Sequence, residues 1–185
     1  ILKKHNITHV INLLSKDIND FNLVYNLIQD CKKWGKLDKF IHVSSNKILS
    51  DRMPDTRLNV LSDDESCLHA CIESIVRSSN LETIIARTCK LYSENIDNII
   101  TRFIRILKDN KVIEISGNGS DTMGLLHVSD FCHALDLTIK KGESGKVYDI
   151  CPDREYMVLD IARELCYLFW KDDSSIRFKY QESNK

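Results

Sequence analysis

A chain of 185 residues with 43% hydrophobic side chains can bury one domain-sized core. Its 26 basic and 27 acidic side chains are interspersed and leave a formal net charge of −1, without a Lys/Arg block carrying interleaved aromatics, which argues against a nucleic-acid partner. Uncharged apolar runs such as residues 10–14 fall far short of the roughly 18 to 20 residues of a membrane span, and the amino end has no signal-peptide pattern. A soluble, cytoplasmic protein without a membrane partner is expected.

Strand-like runs fall at Thr8–Leu13, Lys39–Ser44, Thr83–Arg87, Val112–Ile115 and Lys146–Ile150. Between them lie helical patterns at Asn19–Trp34, Asp64–Ser79, Ile96–Asp109, Phe131–Lys140 and Met157–Trp170. In the first helix Phe21, Val24, Leu27, Ile28 and Cys31 recur at helical spacing, and Gly35 is the expected stop. Arg52–Ser62, polar and containing Pro54, reads as a loop. Ser129 or Asp130 is the expected N-cap of the helix at Phe131. Alternation of this kind predicts an α/β fold, with helices on both faces of a parallel sheet, in a single domain over residues 1–185.

Seven cysteines form an odd set without C-x-x-C spacing, so reduced and mostly buried thiols are expected. Abundant Ile, Lys and Asn beside six glycines and two prolines fit a genome of low GC content, such as that of some large viruses. The chain begins at Ile1, and its first periodic segment already reads as the middle of a fold. Further sequence upstream is therefore expected.

Two stretches carry a family resemblance. Lys39-Phe-Ile-His-Val-Ser-Ser45 and the run from Ile113 through Gly117-Asn-Gly119 to His127-Val-Ser-Asp130 are similar to the nucleotide-sugar branch of the extended short-chain dehydrogenase/reductases. The similarity is closest to dTDP-glucose 4,6-dehydratase and extends from about Thr8 to Trp170. It implies a partial doubly wound, Rossmann-like sheet lacking the first β-α-β unit, with remnants of a small substrate-binding lobe. In the family that missing unit holds NAD on a Gly-x-x-Gly-x-x-Gly turn, and no such cluster occurs here. The resemblance therefore implies no cofactor for this chain alone, and NAD if the missing unit is supplied.

Matched position by position, Ser45 stands at the strand-end Ser/Thr, whereas the Asp-Glu pair that follows in the family is Asn46-Lys47. Counting back from Glu73, the Tyr-x-x-x-Lys positions fall on Glu65 and His69. No Tyr lies between Tyr25 and Tyr92, and no Lys between Lys47 and Lys90. An amide and an ammonium cannot replace two carboxyl groups in proton transfer. Arg87-Thr-Cys-Lys-Leu-Tyr92 resembles Arg-x-x-Asn-Val-Tyr, with Lys90 at the Asn position; the phosphate-pairing arginine of the Gly-x-Gly-x-Gln-x-Arg pattern is Met123, which forms no charge-assisted bond. Lys90, Asn95 and Met123 are the candidate substrate contacts.

Competing readings of the same residues are plainer. Glu65 and His69 are four apart and form an acid/base pair or, as the ordinary expectation, an exposed ion pair. Cys67, His69 and Cys71 suggest a metal only superficially, because positions two apart diverge on a helix. His127 and His133 have no third ligand in view, and Ser45 has no nearby base in the sequence. The expected function is a degenerate nucleotide-sugar dehydratase/epimerase homologue, catalytically inactive and acting as a structural or regulatory binding protein. The alternative is a segment of an NAD-dependent nucleotide-sugar 4,6-dehydratase/epimerase with an altered site. Family dimers pack the helices matched by 19–34 and 64–79, which implies a homodimer or association with an active homologue, together with weak nucleotide-sugar binding.

Overall fold

Short β-branched runs alternate with amphipathic helices, and each run becomes a strand because its side chains fit a pleated, buried surface. The computed structural model describes residues 1–15, 17–50, 63–170 and 176–179. In chain order these form β1 (His9–Asn12), α1 (Ile18–Trp34), β2 (Lys39–Ser45), α2 (Lys47–Ser50), α3 (Asp64–Arg77), β3 (Thr83–Thr88), β4 (Lys90–Tyr92) and α4 (Ile99–Lys108). Then follow β5 (Ile113–Ser116), β6 (Thr122–Met123), β7 (Leu125–His127), α5 (Val128–Lys141), β8 (Val147–Ile150), β9 (Tyr156–Met157), α6 (Val158–Trp170) and β10 (Ile176–Lys179). The expected loop at Arg52–Ser62 lies outside the described residues. Where the sequence reading treats residues 1–185 as one domain, the chain divides into two units, one of residues 1–88 and 132–150 and one of 89–131 and 151–185.

The first unit is a parallel sheet in the order β1-β2-β3-β8, with Phe40 beside Thr83 and Ile85 beside Val147 in register. Its two central strands are covered on both faces, so Phe40, Ile41, Ile84, Ile85 and Ala86 are buried and the strands read as apolar runs. Asp17 starts α1 by accepting the Asn19 and Asp20 amides at 2.8 and 3.3 Å; Gly35 ends it in the left-handed region, at φ +66°, with its N–H on Cys31 O. Val24, Ile28 and Cys31 of α1 pack with Ile72 and Val76 of α3 against Phe40 and Ile85. Each such side chain contributes about 1.5–3 kcal/mol by leaving water. Among the described residues β1 is an edge strand, and Ile11 and Leu13 on and beside it are exposed.

The second unit is built on Phe103, Leu107, Ile113, Ile115, Ile161, Ala162 and Cys166. Three two-stranded pairings, β5 with β10, β4 with β7 and β6 with β9, surround that core. The pattern predicts a helix from Ile96, but α4 begins at Ile99 because Asn98 forms a capping box: its Oδ1 accepts the Ile100 and Thr101 amides, and Thr101 Oγ1 accepts the Asn98 amide. Gly117 and Gly119, at φ +64° and +73°, make the turn between β5 and β6. The N-cap expected at Ser129 or Asp130 is not found. Helix α5 starts at Val128, and His127 Nδ1 accepts the Ser129 amide at 3.3 Å, a role that a ring nitrogen can fill and a motif based on short polar side chains misses. No helix among the described residues is long and apolar enough to cross a membrane.

Candidate active site

Strand β2 delivers two kinds of polar group. Its buried alternation puts His42 and Ser44 on the face toward α3, while its carboxyl end carries Ser45, Asn46 and Lys47 outward. Ser45 Oγ accepts the Lys47 amide at 3.2 Å and so turns the chain into α2. Asn46 N–H donates to Thr88 O at 3.0 Å. At the strand end the serine is a turn-former, with no base bonded to it among the described residues.

Lys47 Nζ lies 2.9 Å from Glu65 Oε2 and 3.0 Å from Asp63 Oδ2, which raises its pKa through these two hydrogen bonds. Asp63 serves twice, because its Oδ1 also caps α3 by accepting the Ser66 amide at 2.8 Å. Glu65 and His69 do not form the exposed ion pair that their spacing suggests: Glu65 points to Lys47, while His69 is only 7% exposed. The cause is helical geometry, since the His69 face of α3 turns onto β2 and also buries Ile72, Glu73 and Val76. Cys67 and Cys71 stand exposed on another face of α3 and so do not converge with His69.

Beneath this end of the sheet lies a polar cluster. Glu73 and Arg87 form a bidentate pair, Nε to Oε1 and Nη2 to Oε2 both at 2.8 Å, with side chains 6% and 13% exposed. Burial pushes the Glu73 carboxyl upward, but the Arg87 hydrogen bonds, the nearby Ser44 hydroxyl and the charges of Arg87 and Arg77 outweigh it and hold the group below the usual carboxylate range. Asn12 Oδ1 accepts the Leu14 amide, which turns its amide nitrogen toward His42 Nδ1 at 2.9 Å. His42 is therefore neutral with its proton on Nε2. Burial lowers its pKa to about 4, and burial also lowers that of His69. His42 Nε2 and His69 Nδ1 are buried without a hydrogen-bond partner among the described residues.

The substrate candidates belong to the second unit. Lys90 and Met123 meet on a cavity of about 420 Å³ that is also lined by Asn98 and Arg102. Asn95 is exposed and does not line it. The sequence reading used Glu73 and Arg87 only as landmarks and passed over Asn12, His42 and Ser44. The available signal was polar residues at alternating positions of an otherwise apolar strand, Phe40-Ile-His-Val-Ser44.

The sequence has no glycine-rich strand-to-helix turn, and the Tyr and Lys positions of the resemblance hold an ion-paired Glu65 and a buried His69. The chain has nevertheless kept the family framework. Residues 4–151 match the model of the NAD dependent epimerase/dehydratase family. A trifunctional UDP-glucose 4,6-dehydratase/UDP-4-keto-6-deoxy-D-glucose 3,5-epimerase/UDP-4-keto-L-rhamnose-reductase of Arabidopsis thaliana is 31% identical over 92% of this chain and 28% of its own length. The dTDP-D-glucose 4,6-dehydratase of Dictyostelium discoideum is 30% identical over 85% of the chain and 42% of its own length. The chain thus spans less than half of either relative. Among solved structures, dTDP-glucose 4,6-dehydratase from Bacillus anthracis in complex with NAD superposes with a TM-score of 0.85 at 20% identity, over 98% of this chain and 63% of that one. That likeness establishes the Rossmann-like fold.

Proposed function

We propose that this chain, which belongs to the NAD dependent epimerase/dehydratase family, is a nucleotide-sugar dehydratase/epimerase homologue that no longer performs the oxidoreductase reaction and acts as a structural or regulatory binding protein. The observation that carries this reading is the Lys47–Glu65–Asp63 ion cluster. At the positions where the resemblance implies a general acid and a tyrosine base, the chain holds an ammonium clamped between two carboxylates. Such a group gives up its proton reluctantly, because both neighbours stabilise the charged form.

Its partner is a second copy or an active homologue, joined through α1 and α3. Ile18, Leu23 and Tyr25 of α1 are exposed, and a cavity of about 710 Å³ lined by Phe21, Leu68, Cys67 and Cys71 opens between the two helices. Apolar exposure on adjacent helices is the material of an association surface. Nucleotide-sugar binding is weak, since Met123 gives no charge to a phosphate.

A second reading has one observation in its favour. Identity of 30% to a dTDP-D-glucose 4,6-dehydratase is compatible with a segment of an NAD-dependent enzyme whose cofactor turn comes from outside this chain. A thermal-shift series with NAD, NADP, dTDP-glucose and UDP-glucose tests the first reading on this chain, because a ligand that prefers the folded state raises its Tm; turnover of dTDP-glucose by the chain joined to a segment carrying a Gly-x-x-Gly-x-x-Gly turn is the outcome that only the second reading allows. The first reading expects no shift with either dinucleotide. A saturable rise with NAD would overturn it.

A further inference from the structure

Cys89 and Cys151 are far apart in the chain and meet through the sheet register. Strands β3 and β8 run parallel, with Arg87 opposite Asp149 and Thr88 opposite Ile150, so the next pair in the same register is Cys89 and Cys151. Neighbouring strands lie about 4.8 Å apart, and paired residues in parallel register project to the same side. This spacing falls inside the roughly 4.4 to 6.8 Å between Cα atoms that a disulfide accepts. Gly124 closes one side: a Cβ there would lie 3.2 Å from Cys89 Cβ, 3.6 Å from Cys89 Sγ and 3.7 Å from Pro152 Cδ, so the absent side chain leaves the sulfur its room. Of the remaining cysteines, Cys31 and Cys166 are buried and Cys67, Cys71 and Cys132 are exposed.

We propose that Cys89 and Cys151 are an oxidant-responsive modification site, joined by a reversible disulfide that closes the segment between them. The two thiols differ in accessibility. Cys89 is buried, and burial, followed by the neighbouring Cys151 sulfur and its hydrogen bond, pushes its pKa up to about 12. Cys151, partly exposed, is the group that meets the oxidant. With a peroxide, the Cys151 thiolate attacks one peroxide oxygen, the O–O bond breaks, and Cys151 becomes a sulfenic acid while hydroxide leaves and takes a proton to form water. Cys89 sulfur then attacks Cys151 sulfur, an S–S bond forms, and the S–O bond breaks with release of a second water. Two thiols have been oxidised by two electrons and one peroxide reduced.

The test uses the full chain with Cys67, Cys71 and Cys132 replaced by Ser, which removes the exposed thiols that would bridge between molecules. After treatment with hydrogen peroxide, free thiols are alkylated and the protein is digested and mapped by mass spectrometry. The expected result is one species lighter by about 2 Da, with the Cys89 and Cys151 peptides linked and released by dithiothreitol. Cys89→Ser should leave Cys151 as a sulfenic acid trapped by dimedone. Should that variant fail to fold, the linkage map of the chain with both cysteines intact still decides. Cys89 remaining alkylatable while Cys151 proceeds to sulfinic acid, or both thiols surviving peroxide, would overturn the proposal.

Discussion

Replacing Arg87 by Met tests whether the buried polar cluster is held together by its ion pair. Arg87→Met removes both 2.8 Å hydrogen bonds to Glu73 and leaves a carboxylate only 6% exposed with Arg77 Nη2, 3.6 Å away, as its remaining cationic neighbour. Breaking a buried pair by removing one partner costs about 3–5 kcal/mol. Arg77 is half exposed and compensates in part, so a loss of about 3 kcal/mol is expected, equivalent to a fall in Tm of roughly 6–12 °C for a chain of this size. Urea denaturation followed by circular dichroism should show a lower midpoint with an unchanged m-value.

The acid limb gives a second readout of the same change. In the wild type the Glu73 pKa is depressed on folding, so its stabilisation is present above the unfolded carboxylate value of about 4.3 and is lost as pH falls through the folded value. In Arg87→Met burial raises the group instead, and this variant should regain relative stability on acidification. Glu73→Gln combined with Arg87→Met should be milder than Arg87→Met alone, since no uncompensated charge remains. A loss below about 1 kcal/mol with an unaltered acid slope would refute the argument.

Other consequences can be measured on the same protein. His42, neutral and lowered to about 4, should make the fold lose up to about 3 kcal/mol as pH drops from about 6.5 toward 4, because only the unfolded chain takes up that proton in this window; urea midpoints across that range, compared with those of His42→Asn, check it. Lys47→Ala should cost less than about 1 kcal/mol, since Lys47 and Glu65 are 40% and 59% exposed and salt screens the pair; a thermal melt reads this directly. Gly119→Ala should destabilise more than Gly117→Ala, by about 1 kcal/mol or more beyond the shared positive-φ penalty, because the added Cβ meets Leu159 Cβ at 3.0 Å and Ile115 Cγ2 at 3.1 Å, whereas at Gly117 it meets open space. Paired denaturation curves of the two variants decide that comparison.

The long periodic elements were legible from the chain because a single burial rule writes them. The face Val24, Ile28 and Cys31 and the runs at β2 and β3 announce helix and buried strand without tertiary knowledge. The pieces that escaped are those fixed by pairing rather than by period: β6 and β9 are two residues each, and β4 and β7 three. Helix starts shifted where a particular oxygen or nitrogen took the free amides, Asn98 for α4 and His127 for α5. At the candidate site, Ser45, Asn46, Lys47 and Glu65 could be named from motif positions, but their mutual bonds could not. The inward turn of His69 and the Glu73–Arg87 pair depend on which face of α3 meets β2, a relation between segments that local spacing leaves open.

The most direct measurement is product formation. Purified protein would be incubated with NAD and dTDP-glucose and the mixture analysed by mass spectrometry for loss of water from the sugar and by NMR for a 4-keto-6-deoxy ring. A chain that clamps Lys47 between Glu65 and Asp63 in place of an acid/base pair should return dTDP-glucose unchanged. Turnover to the 4-keto-6-deoxy sugar, abolished by Lys47→Ala or Glu65→Gln, would contradict the account.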